Sequence, residues 1–243
     1  MANIMIMGDS WALGEWHDDR GPAGYRVMHL GTEQYLREAG HRVCSVAEAS
    51  SSNWAQVDRM SPHHAYQRDR ECPHSAHLTD VIIWFLTDPL RDHTSLGSQL
   101  PTTRAEYSTQ PDQLMRARLT DMARLYPDRR ILLIGGVQPV PTWVGQEFPQ
   151  FAVVVQSLLH WLIPSAHQDL LPTLCRTWQY PDCDPDLLDH WEQVEQIRDS
   201  HLWRAQHRIH APEHQWFWPD GLHPNRAAHQ RLSEELILPH LAG

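Results

Sequence analysis

Four short runs, 3–7, 42–46, 81–85 and 130–134, are apolar at nearly every position, the pattern of strands buried on both faces. Helical spacing of apolar residues follows the first three at 24–39, 53–60 and 104–126, and returns at 148–162, 184–207 and 225–238. Gly40 follows the apolar positions Tyr35, Leu36 and Ala39, where a glycine ends a helix, and Asp128 marks the end of the third helix. Strands alternating with helices predict a doubly wound α/β layer structure with a parallel sheet. Pro164, Pro172, Pro181 and Pro185 break the interval before 184–207.

The chain of 243 residues can bury one large core, and nothing in it reads as a linker or a repeat, so one domain over 1–243 is expected. Every basic residue is Arg, and the net charge is -10 with histidine neutral. An acidic surface without a basic stripe repels phosphate backbones, which argues against nucleic-acid binding; the 18 histidines weaken that argument at acidic pH. The apolar runs are too short or too interrupted to span a bilayer. Met1 to Met7 leads straight into Gly8-Asp9-Ser10 with no leader pattern, so a cytoplasmic protein is expected. Four cysteines, Cys44, Cys72, Cys175 and Cys183, are too few to predict a disulfide-stapled scaffold.

In an open parallel sheet, ligands bind beyond the carboxyl ends of the strands. The first strand ends in Met7-Gly8-Asp9-Ser10-Trp11, which puts a hydroxyl and neighbouring backbone N–H groups at that edge, at the entry to a loop or helix. A serine needs a base within hydrogen-bond reach, held in the right tautomer. Asp220-Gly221-Leu222-His223-Pro224 offers one: a single loop can present His223 as base and Asp220 as the carboxylate that orients it.

Gly-Asp-Ser after an N-terminal strand, with Asp-x-x-His-Pro before a C-terminal helix, resembles the GDSL/SGNH hydrolases. The resemblance implies a three-layer α/β/α sandwich with a parallel, flavodoxin-like central sheet, and a serine esterase with catalytic Ser10, Asp220 and His223. Two middle motifs of that family depart here. Its second supplies a glycine N–H to the oxyanion hole, where this chain has Glu48-Ala49-Ser50-Ser51-Ser52-Asn53-Trp54; Ser50 or Ser51 can substitute if the backbone takes the same turn. Its third, Gly-x-Asn-Asp, becomes Leu86-Thr87-Asp88 preceded by Phe85, with Thr87 at the Asn position. The oxyanion donors expected are therefore Ser10, Ser50 and either Thr87 or Asn53.

Asp9 reads as a structural tie for the turn, Asp88 as a cap for the next helix or loop, and Arg91 as the salt-bridge partner of Asp88. His63-His64 and Cys72-Pro73-His74-Ser75-Ala76-His77 match no standard zinc spacing, so no metal is expected. Trp11 and Trp54 flank the nucleophile and oxyanion segments and are the candidate substrate-binding residues. The reaction expected is two-step hydrolysis of a small-molecule or glycan ester, without a cofactor, and the tryptophans tilt the substrate towards O-acetylated carbohydrate. Acyl transfer through the same acyl-serine, or binding without turnover, are the alternatives.

Overall fold

The computed structural model describes residues 1–17, 26–64, 79–98, 104–136, 138–162, 216 and 223–242. The predicted helix 184–207, Asp220, Cys72, Cys175, Cys183 and most of the histidine-rich segment lie outside the described residues. Five parallel strands form the central sheet: β1 (Asn3–Met7), β4 (Arg42–Ser45), β5 (Val81–Leu86), β6 (Arg130–Gly135) and β7 (Phe151–Val155), in the order β4-β1-β5-β6-β7. Counted within the sheet alone, that is the 2-1-3-4-5 order of flavodoxin-like folds. The strand order reverses at β1, which makes the carboxyl ends of β1 and β5 the topological switch point, where open α/β sheets bind ligands.

Alternation along the strands builds a core on each face. Ile4, Ile6, Ile83, Phe85, Leu132 and Ile134 point to one side, where α1 (Thr32–Glu38), α6 (Leu158–Leu162) and the C-terminal helix cover them. That helix runs from α7 (Arg226–Arg231) through a π-helical stretch at Leu232–Ile237 into α8 (Leu238–Ala242). Met5, Met7, Ile82, Trp84, Ile131 and Leu133 point to the other side, under α2 (Asn53–Met60) and α4 (Arg104–Leu125). The layers are thus α/β/α, as the resemblance implies.

Two predicted helices are corrected. Within 24–39, the stretch Arg26–His29 is β3, paired antiparallel with β2 (Glu15–His17), and the helix begins only at Thr32. Gly31, at φ 57, makes the break between them. Within 148–162, the chain forms β7 and then α6, after the short α5 (Val144–Glu147). The β-branched Val153, Val154 and Val155 favour a strand once β6 offers a partner edge. Cys44 on β4 is disulfide-bonded, a cross-link the low cysteine count does not foretell. Among the described residues, no helix is long and apolar enough to cross a membrane, and no group of three or more His, Cys, Asp or Glu side chains could hold a metal ion.

Candidate active site

Ser10 follows β1 on a turn closed by the Ala12 N–H donating to the Asp9 carbonyl at 3.0 Å, so it stands on a turn rather than at a helix N-terminus. Gly8 lets that turn form. A Cβ there would lie 2.7 Å from both the Ala12 and Phe85 Cβ atoms, closer than carbon atoms pack. The Gly8 carbonyl accepts from the Glu48 N–H at 3.1 Å and from the Ser51 hydroxyl at 3.0 Å. Gln56 donates to the Ser51 oxygens and accepts from the buried Trp84 indole at 2.6 Å. This chain of polar contacts ties the loop after β4 to the residue two before Ser10.

Asp9 is buried and structural, as expected: Oδ1 accepts from the Trp11 N–H at 3.0 Å and Oδ2 from Arg91 at 2.9 Å. Arg91 thus pairs with Asp9, which corrects its expected pairing with Asp88. Asp88 instead accepts the Leu90 N–H at 2.7 Å, which closes the turn before α3 (Arg91–Leu96). Burial pushes the Asp88 carboxyl up to about 6, since removing it from water penalises the charged form. Asp92 is fully buried and is also pushed up to about 6 by burial, although it accepts the Trp54 N–H at 2.8 Å and lies 3.4 Å from Arg118.

Ser50 adopts φ 61, the left-handed conformation that glycine enters most easily. Ser50 is exposed in this conformation. Asn53 is fully buried, and its carboxamide closes on the peptide of Thr87: Nδ2 donates to the carbonyl at 2.8 Å and Oδ1 accepts the N–H at 3.0 Å. Asn53 thus braces the end of β5. Thr87 itself is buried and lines a cavity of about 390 Å³ at the carboxyl ends of β5 and β6. Leu90, Met115, Val140 and His160 form other parts of its wall. The Asp9–Arg91 ion pair joins the Ser10 turn to that wall at Leu90.

Two tryptophans are expected to bind substrate, Trp11 and Trp54, and the structure places Trp11 deeper. It is only 6% exposed and packs in the core cluster that contains Ala12, Leu36 and Phe85. Trp54 remains half-buried on α2.

His223 is half-buried, and its imidazole stacks on the Trp16 indole at 5.3 Å between centroids and 29° between planes. The same indole donates its Nε1–H to the Ser10 carbonyl at 2.9 Å. Two residues 213 positions apart therefore meet one side chain. Beside it, buried Glu15 accepts from the Arg226 N–H at 2.6 Å, from Arg226 Nε at 3.1 Å and from Arg226 NH2 at 2.8 Å. Burial alone pushes the Glu15 carboxyl up, but the hydrogen bonds and charge of Arg226 outweigh it and leave it below its ordinary value. Asn225 caps α7 by accepting the Ala228 N–H at 3.0 Å, which fixes the start of the helix three residues after His223. One turn further on, His229 is fully buried and pairs with the Thr32 hydroxyl at 3.1 Å; burial pushes it down to about 4. Neither Trp16 nor the Glu15–Arg226 pair carries a motif in the sequence. Their only signal is adjacency: each lies a few residues beyond one of the two terminal signatures.

No protein-family model and no curated protein matches the sequence. Among solved structures the chain is similar to a lipase from a goat rumen metagenome, at 12% identity over 100% of this chain and 98% of that one, with a TM-score of 0.50. A mutant acetyl-xylooligosaccharide esterase from Geobacillus is 13% identical over 100% and 94% of the two chains, with a TM-score of 0.42. A lipase/acylhydrolase from Enterococcus faecalis is 12% identical over 97% of each, with a TM-score of 0.40. At these identities the likeness to the rumen lipase is one of fold, and the fold is the three-layer α/β/α architecture of the SGNH hydrolases that the two terminal motifs imply.

Proposed function

We propose that the chain is a serine esterase in which Ser10 attacks the carbonyl of a carboxylic ester, His223 takes the Ser10 proton, and water then releases the acyl group. The observation that carries this reading is the shared contact on Trp16, which touches both the Ser10 carbonyl and the His223 ring. Asp220 is the proposed partner that orients the imidazole. Backbone N–H groups at Ser10 and Ser50, with the Thr87 hydroxyl, are the proposed oxyanion donors. A hydroxyl in place of an amide reaches less far, so turnover is expected to be slower than with a full set of donors.

The cavity beside Thr87 is much larger than an acetyl methyl. Either a longer acyl chain or the sugar ring of an O-acetylated carbohydrate would fill it. A chain-length series of p-nitrophenyl esters separates the two: a rise from acetate to octanoate favours the acyl chain, and a fall favours the sugar. The mechanism is tested by treating the protein with a fluorophosphonate and mapping the adduct by peptide mass. An adduct on Ser10 is expected; none, or one elsewhere, overturns the assignment. Because the base must be neutral, the rate should rise with pH, and a flat profile from about pH 5 to 8 counts against His223.

A further inference from the structure

An imidazole that passes a proton must hold its ring plane as well as its tautomer, since the hydrogen bond it makes lies in that plane. A carboxylate on the far ring nitrogen restrains the ring along its edge. Rotation about the Cβ–Cγ bond is stopped best by a flat surface against the ring face. Trp16 offers such a surface, at a separation and tilt typical of stable aromatic pairs. The indole is itself held: it is 9% exposed, its N–H is committed to the Ser10 carbonyl, and its chain neighbour Glu15 is clamped by three donors of Arg226. Arg226 and His223 belong to the same short segment, so the clamp draws that segment onto β2.

We infer that Trp16, backed by the Glu15–Arg226 pair, is the positioning residue of this site, setting the plane of the His223 imidazole against the Ser10 hydroxyl. The inference rests on the esterase reading above. The indole face is also electron-rich, so it favours the imidazolium that forms as Ser10 gives up its proton. Trp16 therefore acts through His223 without touching the reacting atoms.

The test is the rate at which a fluorophosphonate modifies Ser10, measured across about pH 5 to 8 in the parent, Trp16→Leu and Trp16→Phe, with thermal melting of each. Trp16→Leu removes the surface and should slow modification on the order of 10²-fold, because a small misplacement of the base is amplified in the rate. Its acid limb should also move to lower pH, as the imidazolium loses support. Trp16→Phe keeps a face but loses the donor to Ser10, so it should slow the reaction roughly three- to tenfold with the acid limb in place. A merely structural role would lower the melting temperature and leave both rate and limb as in the parent. A folded Trp16→Leu protein that reacts within about twofold of the parent overturns the inference. If that variant does not fold, Trp16→Met, which also lacks a flat face, takes its place, and a rate within about twofold of the parent overturns the inference. Failure of the parent itself to react at Ser10 removes the esterase reading instead, and the inference with it.

Discussion

The hydroxyl side and the imidazole side of the candidate site are built on different principles. Ser10 rests on the sheet: β1 pairs on both sides, Gly8 abuts Phe85, and Asp9 is locked to the Trp11 N–H and to Arg91. His223 precedes the helix that closes the chain and is reached from the side, by the Trp16 ring, while Glu15 grips Arg226 just beyond it. The strand register fixes the first, whereas side chains from the opposite end of the sequence hold the second. A short motif can therefore name both proposed reacting groups while revealing the support of only one.

Replacing either proposed reacting group is the strongest way to break the contrast, because both sides should then fail alike. Ser10→Ala and His223→Ala should each lower hydrolysis of a short aryl ester on the order of 10⁴-fold or more, with cooperative melting retained. Retained turnover in either variant removes that residue from the mechanism.

Acidification should separate the two sides. His229, on the imidazole side, is depressed in the fold to about 4 from an ordinary 6.5, so its contribution is whole above about pH 6.5 and is lost as pH falls towards 4. That shift corresponds to ~3 kcal/mol. Asp88 and Asp92, on the sheet side, are raised to about 6 from 3.8, so the fold gains stability from their protonation as pH falls through about 6 towards 4. The two responses oppose each other in the parent. His229→Gln should cancel the loss and leave a protein that is relatively more stable at about pH 4.5 than at 7, as read from urea midpoints. A pH dependence identical to the parent's would show that His229 is not the group that titrates.

Arg226→Ala leaves the buried Glu15 carboxylate with the backbone N–H of residue 226 but without the guanidinium donors and their charge, and should cost about 2 kcal/mol in urea unfolding. Asp9→Asn keeps the acceptor for Trp11 and loses only the charge partner of a partly exposed Arg91, so it should cost about 1 kcal/mol or less. Equal losses would mean that the two sides are held alike. The smallest effect is a gain. Ser50→Gly relieves a left-handed serine and should add roughly 0.5 kcal/mol without changing the rate.

Legibility in the sequence divides along the same line. Four of the five sheet strands are legible because a strand covered on both faces is apolar at consecutive positions, as in Val81–Leu86. β7 is hidden because Phe151 and Val155 with Leu158, Leu159 and Leu162 also satisfy a helical period, and only the neighbouring β6 decides between the two. The β2–β3 pair is too short to show an alternation. Ser10, His223 and the Ser50 turn can be found from motifs, whereas the Asn53 brace on Thr87 and the partner of Arg91 depend on the spatial neighbourhood of loops that the sequence separates widely.

The bond between Glu15 and Arg226 spans 211 positions, so it can close only after all the residues between them have been made. Such distant closures are slow steps in assembly, because a long loop must be ordered before any contact rewards it. On the proposed esterase reading, a nascent chain would expose Ser10 long before its partner yet stay inert on the ribosome, gaining reactivity towards esters only when the helix after His223 has emerged and docked.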